Sequence, residues 1–89
     1  MKEIIQKLLK QKLSASYLEV RDDSDLHQGH VEAQKSGGGH FSVLVASERF
    51  DGKNLVERHR MIYDALKDIK SDIHALAIKA YTPQEYSKR

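Results

Sequence analysis

The fold is decided by the segment His40-Phe41-Ser42-Val43-Leu44-Val45-Ala46, in which large apolar side chains alternate with other residues. A period of two is typical of a β-strand, and it puts three side chains on one face: Phe41, Val43 and Val45. Leu44 and Ala46 make the other face apolar as well. A strand with apolar residues on both faces is expected near the centre of a sheet.

Two further segments have strand patterns on either side of this one. Residues 17–21 alternate with Leu18 and Val20 on one face, which predicts a half-buried strand. Residues 73–81 are apolar on both faces, which predicts a well-covered strand. The first two strands should pair antiparallel, and the strand–helix–strand step from residue 40 to 81 should be a right-handed crossover between parallel strands.

Helical patterns surround the strands. Residues 2–13 carry one apolar stripe, which predicts an amphipathic helix. A capping box at Asn54 and Glu57 begins a second helix to about Ile69, and a capping box at Thr82 and Glu85 begins a short last helix. The inner stripe of the second helix is predicted to contain Leu55, Ile62, Leu66 and Ile69. We expect an α+β domain over residues 1–89, with the helices packed on one face of the sheet.

Composition favours a binding domain over an enzyme. The chain has 89 residues, a formal charge of +2 and no cysteine, so it can hold one thin core and no thiol chemistry. Nothing resembles a nucleophile turn, and a large substrate pocket would not fit. We expect no small-molecule substrate, no membrane segment and a location in the cytoplasm.

The longest connection separates the first two strands. Residues 22–39 are polar and end in three glycines, whereas a hairpin needs about two to five residues. We therefore expect a long flexible loop. It contains His27 and His30, and a third histidine, His74, lies at the start of the last strand. Imidazole is a common metal ligand, but His-x-x-His without cysteine is a weak signal, and spacing alone favours solvated or hydrogen-bonded histidines.

Other motifs are weaker. The acids at positions 22, 23 and 25 lack the glycine and final glutamate of a calcium loop, and the glycines lead into a strand where a phosphate loop needs a helix. Arg58-His59-Arg60 and the preceding Lys53 form a basic cluster. Because the cluster follows a turn, it is compatible with a helix-turn-helix-like region that binds nucleic acid through Lys53, Arg58 and Arg60. It is also compatible with cations that are solvated or paired with neighbouring acids.

Several segments together resemble the BolA family, from about Ile4 to Tyr86. They are Phe41-Ser42-Val43 with Ser47 and Phe50-Asp51-Gly52, Arg58-His59-Arg60-Met61-Ile62-Tyr63, Ile73-His74-Ala75-Leu76-Ala77-Ile78, and Thr82-Pro83-Gln84-Glu85-Tyr86. The resemblance implies an α-β-β-α-α-β-α fold like the type II KH domain, with a three-stranded mixed sheet and a short helix or turn near residues 47–52.

The resemblance also implies a function. It implies partnership with a monothiol glutaredoxin and a shared [2Fe–2S] cluster in cluster delivery or iron homeostasis. Its fixed ligand would be His74 and its second ligand His27 or His30. The glutaredoxin cysteine and glutathione would supply the other ligands, so the isolated chain would hold no cluster. The resemblance implies a structural role for His59. Some bacterial members of the family are described as transcriptional regulators that bind DNA.

Overall fold

The computed structural model describes residues 1–23 and 39–88. Helix α1 spans Lys2–Leu13, and strands β1 and β2 span Tyr17–Asp22 and Gly39–Ala46. A 3₁₀ turn at Glu48–Phe50 precedes helix α2 at Leu55–Ala65. A second 3₁₀ segment, Lys67–Asp72, leads into strand β3 at Ile73–Tyr81 and helix α3 at Pro83–Lys88. The expected short helix or turn near residues 47–52 is therefore confirmed.

The three strands form one mixed sheet in the order β1-β2-β3. Strand β1 pairs antiparallel with β2, and β2 pairs parallel with β3. Both pairings and the central place of β2 are as the alternation patterns predicted. The α+β class with a three-stranded mixed sheet is confirmed.

The core lies between the sheet and the helices. Its fully buried side chains come from α1, β2, the first 3₁₀ turn, α2 and the residue directly after α2, and they include Ile5, Leu9, Val45, Phe50, Ile62 and Leu66. Ser47 is also fully buried, and its hydroxyl donates to the carbonyl of Leu13 at 2.5 Å. That bond fixes the end of β2 against the end of α1. The opposite face of the sheet lines a shallow open groove that includes Glu19, Arg21, Leu44 and Lys79.

Three sequence predictions about burial and boundaries were wrong. Strand β3 is an edge strand with an exposed row that includes Ala75, Ala77 and Lys79, so its apolar composition reflects small alanines and not coverage on both faces. Helix α2 ends at Ala65 instead of Ile69 and tightens into 3₁₀ turns. Leu55 is 65% exposed, because the inward stripe of α2 begins one turn later.

Two further observations bear on the predictions. Within the described ranges, no helix is long and apolar enough to cross a membrane. The loop predicted over residues 22–39 lies outside the described residues except for Asp22 in β1, Asp23 directly after it and Gly39 in β2.

Candidate functional site

His74 occupies an irregular position in the sheet. The parallel register pairs Gly39 with Ile73 and then His40 with Ala75, so His74 is an extra residue in β3 with no register partner. Such bulges bend the strand and re-aim a side chain. The side chain of His74 is exposed at this end of the sheet. The structure therefore presents one imidazole outward from a rigid strand.

His40 lies next to it on the central strand. The ring centroids of His40 and His74 are 5.0 Å apart and their planes are tilted by 38°. The Nε2 atom of His40 is enclosed by protein, whereas His74 is exposed. Sequence reasoning noted His40 among the histidines but gave it no role, because only the bulge reveals that it lies beside His74 and a strand pattern carries no sign of a bulge.

The two ends of segment 24–38 reach the same end of the sheet. The amide of Asp23 donates to the carbonyl of His40 at 2.7 Å, and the other end, Gly39, lies opposite Ile73. Asp23 is also fixed through its side chain, which accepts from the hydroxyl of Ser42 and lies 3.4 Å from Arg21. The segment with the candidate loop histidines therefore begins and ends close to His74.

His27 and His30 themselves lie outside the described residues. They follow Asp23 by four and seven residues, which an extended chain can span as roughly 14 and 25 Å. Strand β3 is two strand spacings from β1, or about 10 Å. Both histidines can therefore reach His74, and chain length does not choose between them.

A groove adjoins His74 between helix α2, the second 3₁₀ segment and β3. Its lining combines an apolar part, Leu66, Ile73 and Leu76, with Tyr63 and Lys70. Tyr63 is 43% exposed. In the described part of the chain, no three metal-ligating side chains come together, so a four-ligand centre at His74 needs ligands from a partner or from residues outside that part.

Arg58, a candidate nucleic-acid contact, is 8% exposed and bonded inside the fold. Its Nε donates to the carbonyl of Lys53 at 2.8 Å and Nη1 donates to the carbonyl of Ala80 at 3.2 Å. Both terminal nitrogens also donate to Glu85, at 2.6 and 3.2 Å. This geometry argues against a phosphate contact by Arg58. Of the other candidates, Lys53 and Arg60 are exposed.

Glu85 has a second structural role, at the start of α3. Its carboxylate accepts from the amide of Thr82 at 2.8 Å, and the hydroxyl of Thr82 accepts from the amide of Glu85 at 3.1 Å, which is the predicted capping box. Hydrogen bonds from Arg58, together with the bond from Thr82, lower the pKa of Glu85 from 4.5 to about 2. The Arg58–Glu85 pair therefore ties α2 to α3.

Sequence reasoning missed this pair, because it left the arginines as nucleic-acid contacts, as solvated cations or as partners of neighbouring acids. The burial of Arg58 could have been found from its helical spacing to the residues Ile62, Ala65 and Leu66, which puts it on the buried stripe of α2.

The comparisons with known proteins agree with this architecture. The family model of the BolA-like protein matches residues 9–85. The SufE-like protein 1, chloroplastic/mitochondrial, of Arabidopsis thaliana is 45% identical over 91% of this chain, and the match covers 23% of that protein. The DNA-binding transcriptional regulator BolA of Vibrio cholerae is 38% identical, with 97% of this chain and 78% of that protein covered.

Solved structures are similar over nearly the whole chain. A bol-like protein from Babesia bovis has a TM-score of 0.82 at 31% identity, with 99% of this chain and 91% of that chain covered. The BolA domain of SufE1 from Arabidopsis thaliana has a TM-score of 0.79 at 44% identity, with 94% and 93% covered. With the family model, the identities and the fold in agreement, the chain belongs to the BolA family.

Proposed function

We propose that this protein is an iron–sulfur cluster adaptor that binds a monothiol glutaredoxin and completes a [2Fe–2S] cluster shared between the two proteins. The observation that carries the proposal is His74, an exposed imidazole that a bulge aims outward beside a partly apolar groove. Membership of the BolA family supports it, as does a relative whose name is SufE-like.

The residues present fit such a cluster as shared cargo. This chain has no cysteine, so it offers imidazole nitrogens, while the glutaredoxin cysteine and glutathione offer thiolates. His74 would be the fixed ligand and His27 or His30 the second one. Two imidazoles on one iron give a Rieske-like centre with a higher reduction potential than an all-thiolate centre. The bond depends on neutral imidazole, which makes it sensitive to protonation.

The role of the chain in this proposal is binding and presentation, without catalysis. The groove beside His74 combines an apolar floor with Tyr63 and Lys70, the mixture expected where a partner docks. We expect the isolated chain to bind no cluster. The absence of cysteine fits a reducing compartment, and we place the protein in the cytoplasm, acting in cluster delivery or iron homeostasis.

The test is a titration of this protein into cluster-loaded monothiol glutaredoxin with glutathione, followed by visible absorption and circular dichroism. Wild type should produce a new heterodimer spectrum, and His74→Ala should not. Of His27→Ala and His30→Ala, the one that loses the spectrum names the second ligand. His59→Ala, the same change on α2, should behave like wild type. If His74→Ala gives the wild-type spectrum, His74 is not a ligand; if wild type leaves the glutaredoxin spectrum unchanged, the proposal fails.

A second candidate function is sequence-specific DNA binding in transcriptional regulation, favoured by the name of the Vibrio cholerae relative and by the exposure of Lys53 and Arg60. Phosphate binding by these cations should weaken steeply with salt, and Lys53→Glu with Arg60→Glu should abolish it. The measurement is a mobility shift of promoter fragments at low and physiological salt. Failure of micromolar protein to shift any fragment at low salt would exclude this function.

A further inference from the structure

His40 and His74 form one structural unit at the end of the sheet. The bulge that frees His74 from the ladder lies opposite the step from Gly39 to His40, so the same irregularity sets the positions of both residues. The two rings are in contact, with centroids 5.0 Å apart. An exposed side chain on an edge strand can change its χ1 rotamer unless a neighbouring side chain limits it.

The two rings differ in what surrounds them. His40 lies on the central strand and its Nε2 atom is enclosed by protein, so its ring has a fixed place. His74 is exposed on the edge strand. The ring of His40 is therefore a fixed surface, and the ring of His74 packs against it.

We propose that His40 is a positioning residue that holds the imidazole of His74 in the orientation needed for ligation. The inference rests on the proposed role of His74 as the fixed ligand of the shared cluster. Outer-shell partners of a metal site, which usually act through hydrogen bonds, fix the direction of ligating histidines, and their loss costs about 10-fold to 100-fold in metal affinity or activity. Here the contact is between ring and ring, so the orientation depends on a planar side chain at position 40 and not on its nitrogen atoms.

The first test uses the isolated protein and needs no cluster. Three-bond Hα–Hβ couplings measured by NMR report the χ1 rotamer of His74. We expect one dominant rotamer in wild type and in His40→Phe, which keeps a planar ring, and rotamer averaging in His40→Ala. His59→Phe on α2 is the matched control and should leave the couplings unchanged. Unchanged couplings in His40→Ala, or averaging in wild type, would overturn the proposal.

The second test uses the cluster-bearing complex with the glutaredoxin. His40→Ala should weaken cluster binding about 10-fold to 100-fold, the range for loss of an outer-shell partner, and His40→Phe should restore the affinity and the nitrogen hyperfine coupling of the reduced cluster. Loss of cluster and coupling in both variants would overturn the proposal, because it would make the nitrogen of His40 a ligand. If wild type forms no shared cluster, the proposed function fails, and the couplings in the isolated protein still decide whether His40 holds His74.

Discussion

Arg58 and Glu85 show how one residue pair connects distant parts of the chain. The guanidinium is almost fully buried and the carboxylate is about half exposed. Arg58 also satisfies the carbonyls of Lys53 and Ala80, so the pair joins the start of α2, the end of β3 and the start of α3. The residues are 27 positions apart, which is why spacing within one helix could not identify the partner.

This pair should make stability depend on pH in the acid range. The pKa of Glu85 is about 2 in the folded protein, against an ordinary value of 4.5. Between these two pH values the folded state binds fewer protons than the unfolded state. The pair therefore stabilises the fold fully above pH 4.5, and this stabilisation is lost as the pH falls towards 2. Urea unfolding across that window should show wild type losing stability faster than Glu85→Gln, so that the difference between them narrows.

The matched control for this measurement is Glu57→Gln. Glu57 occupies the same position in the capping box of α2, where its carboxylate accepts from the amide of Asn54 at 2.9 Å. The Glu57→Gln variant therefore shows how much stability is lost when the charge alone is removed from a capping box. A difference between wild type and Glu85→Gln that stays constant with pH would contradict the role assigned to the Arg58 pair.

Gly39 is constrained by packing. A Cβ atom at this position would collide with the ring of Phe41, meeting Cζ at 2.8 Å and Cε2 more closely still, and that ring is part of the core. Gly39→Ala should therefore lower the free energy of unfolding by about 1–3 kcal/mol, the usual cost of overpacking. Chemical denaturation measures this cost.

The double variant Gly39→Ala/Phe41→Leu separates the collision from other effects. Because leucine removes the ring that the new methyl group meets, the double variant should lose less stability than the sum of the two single variants. Strict additivity would mean that Phe41 is not the reason for the glycine. Phe41 was predicted to face the core, whereas the need for glycine at position 39 follows only from the packing of the folded chain.

At the scale of the helix, α2 corrects the predicted inner stripe. Leu55 is 65% exposed while Ile62 is fully buried, although both fit the same helical spacing. Leu55→Ser should therefore change the free energy of unfolding by less than about 0.5 kcal/mol, as at ordinary surface sites. Ile62→Ala should cost about 2–5 kcal/mol because it leaves a cavity. Equal losses measured by denaturation would show that the first turn of α2 is packed.

The strands show where pattern reasoning succeeds and where it stops. The alternation of β2 predicted its central place because it has apolar residues on both faces. In the sheet, β2 pairs with a strand along each of its edges. The apolar pattern of β3 misled, because alanine is apolar and yet small enough to lie on an exposed face at little cost. Composition gives the chemistry of a side chain. Whether a strand face is buried depends on which element packs against it, and that depends on the whole chain.

For the molecule as a whole, periodicity and capping motifs gave the order of elements and the strand pairings, and the family blocks pointed to His74. The arrangement around His74 was not accessible in this way. A bulge is a mismatch between two strands, and it depends on the register that the complete sheet adopts. The same reason left His40 without a role in the sequence reasoning. Arg58 looked like a surface cation because its partner, Glu85, lies 27 residues away in the chain.

The hydrogen bond from Asp23 to His40 holds the two ends of segment 24–38 together, whatever lies between them. Once strand pairing has brought such ends together, each doubling of the intervening length costs only about 0.6 kcal/mol. A change in the number of residues between these ends therefore costs little in loop-closure entropy. Substitutions between these ends can change the side chains that are offered to a partner, while β3 keeps the imidazole of His74 in place. This end of the sheet is therefore suited to evolve contacts with different partners.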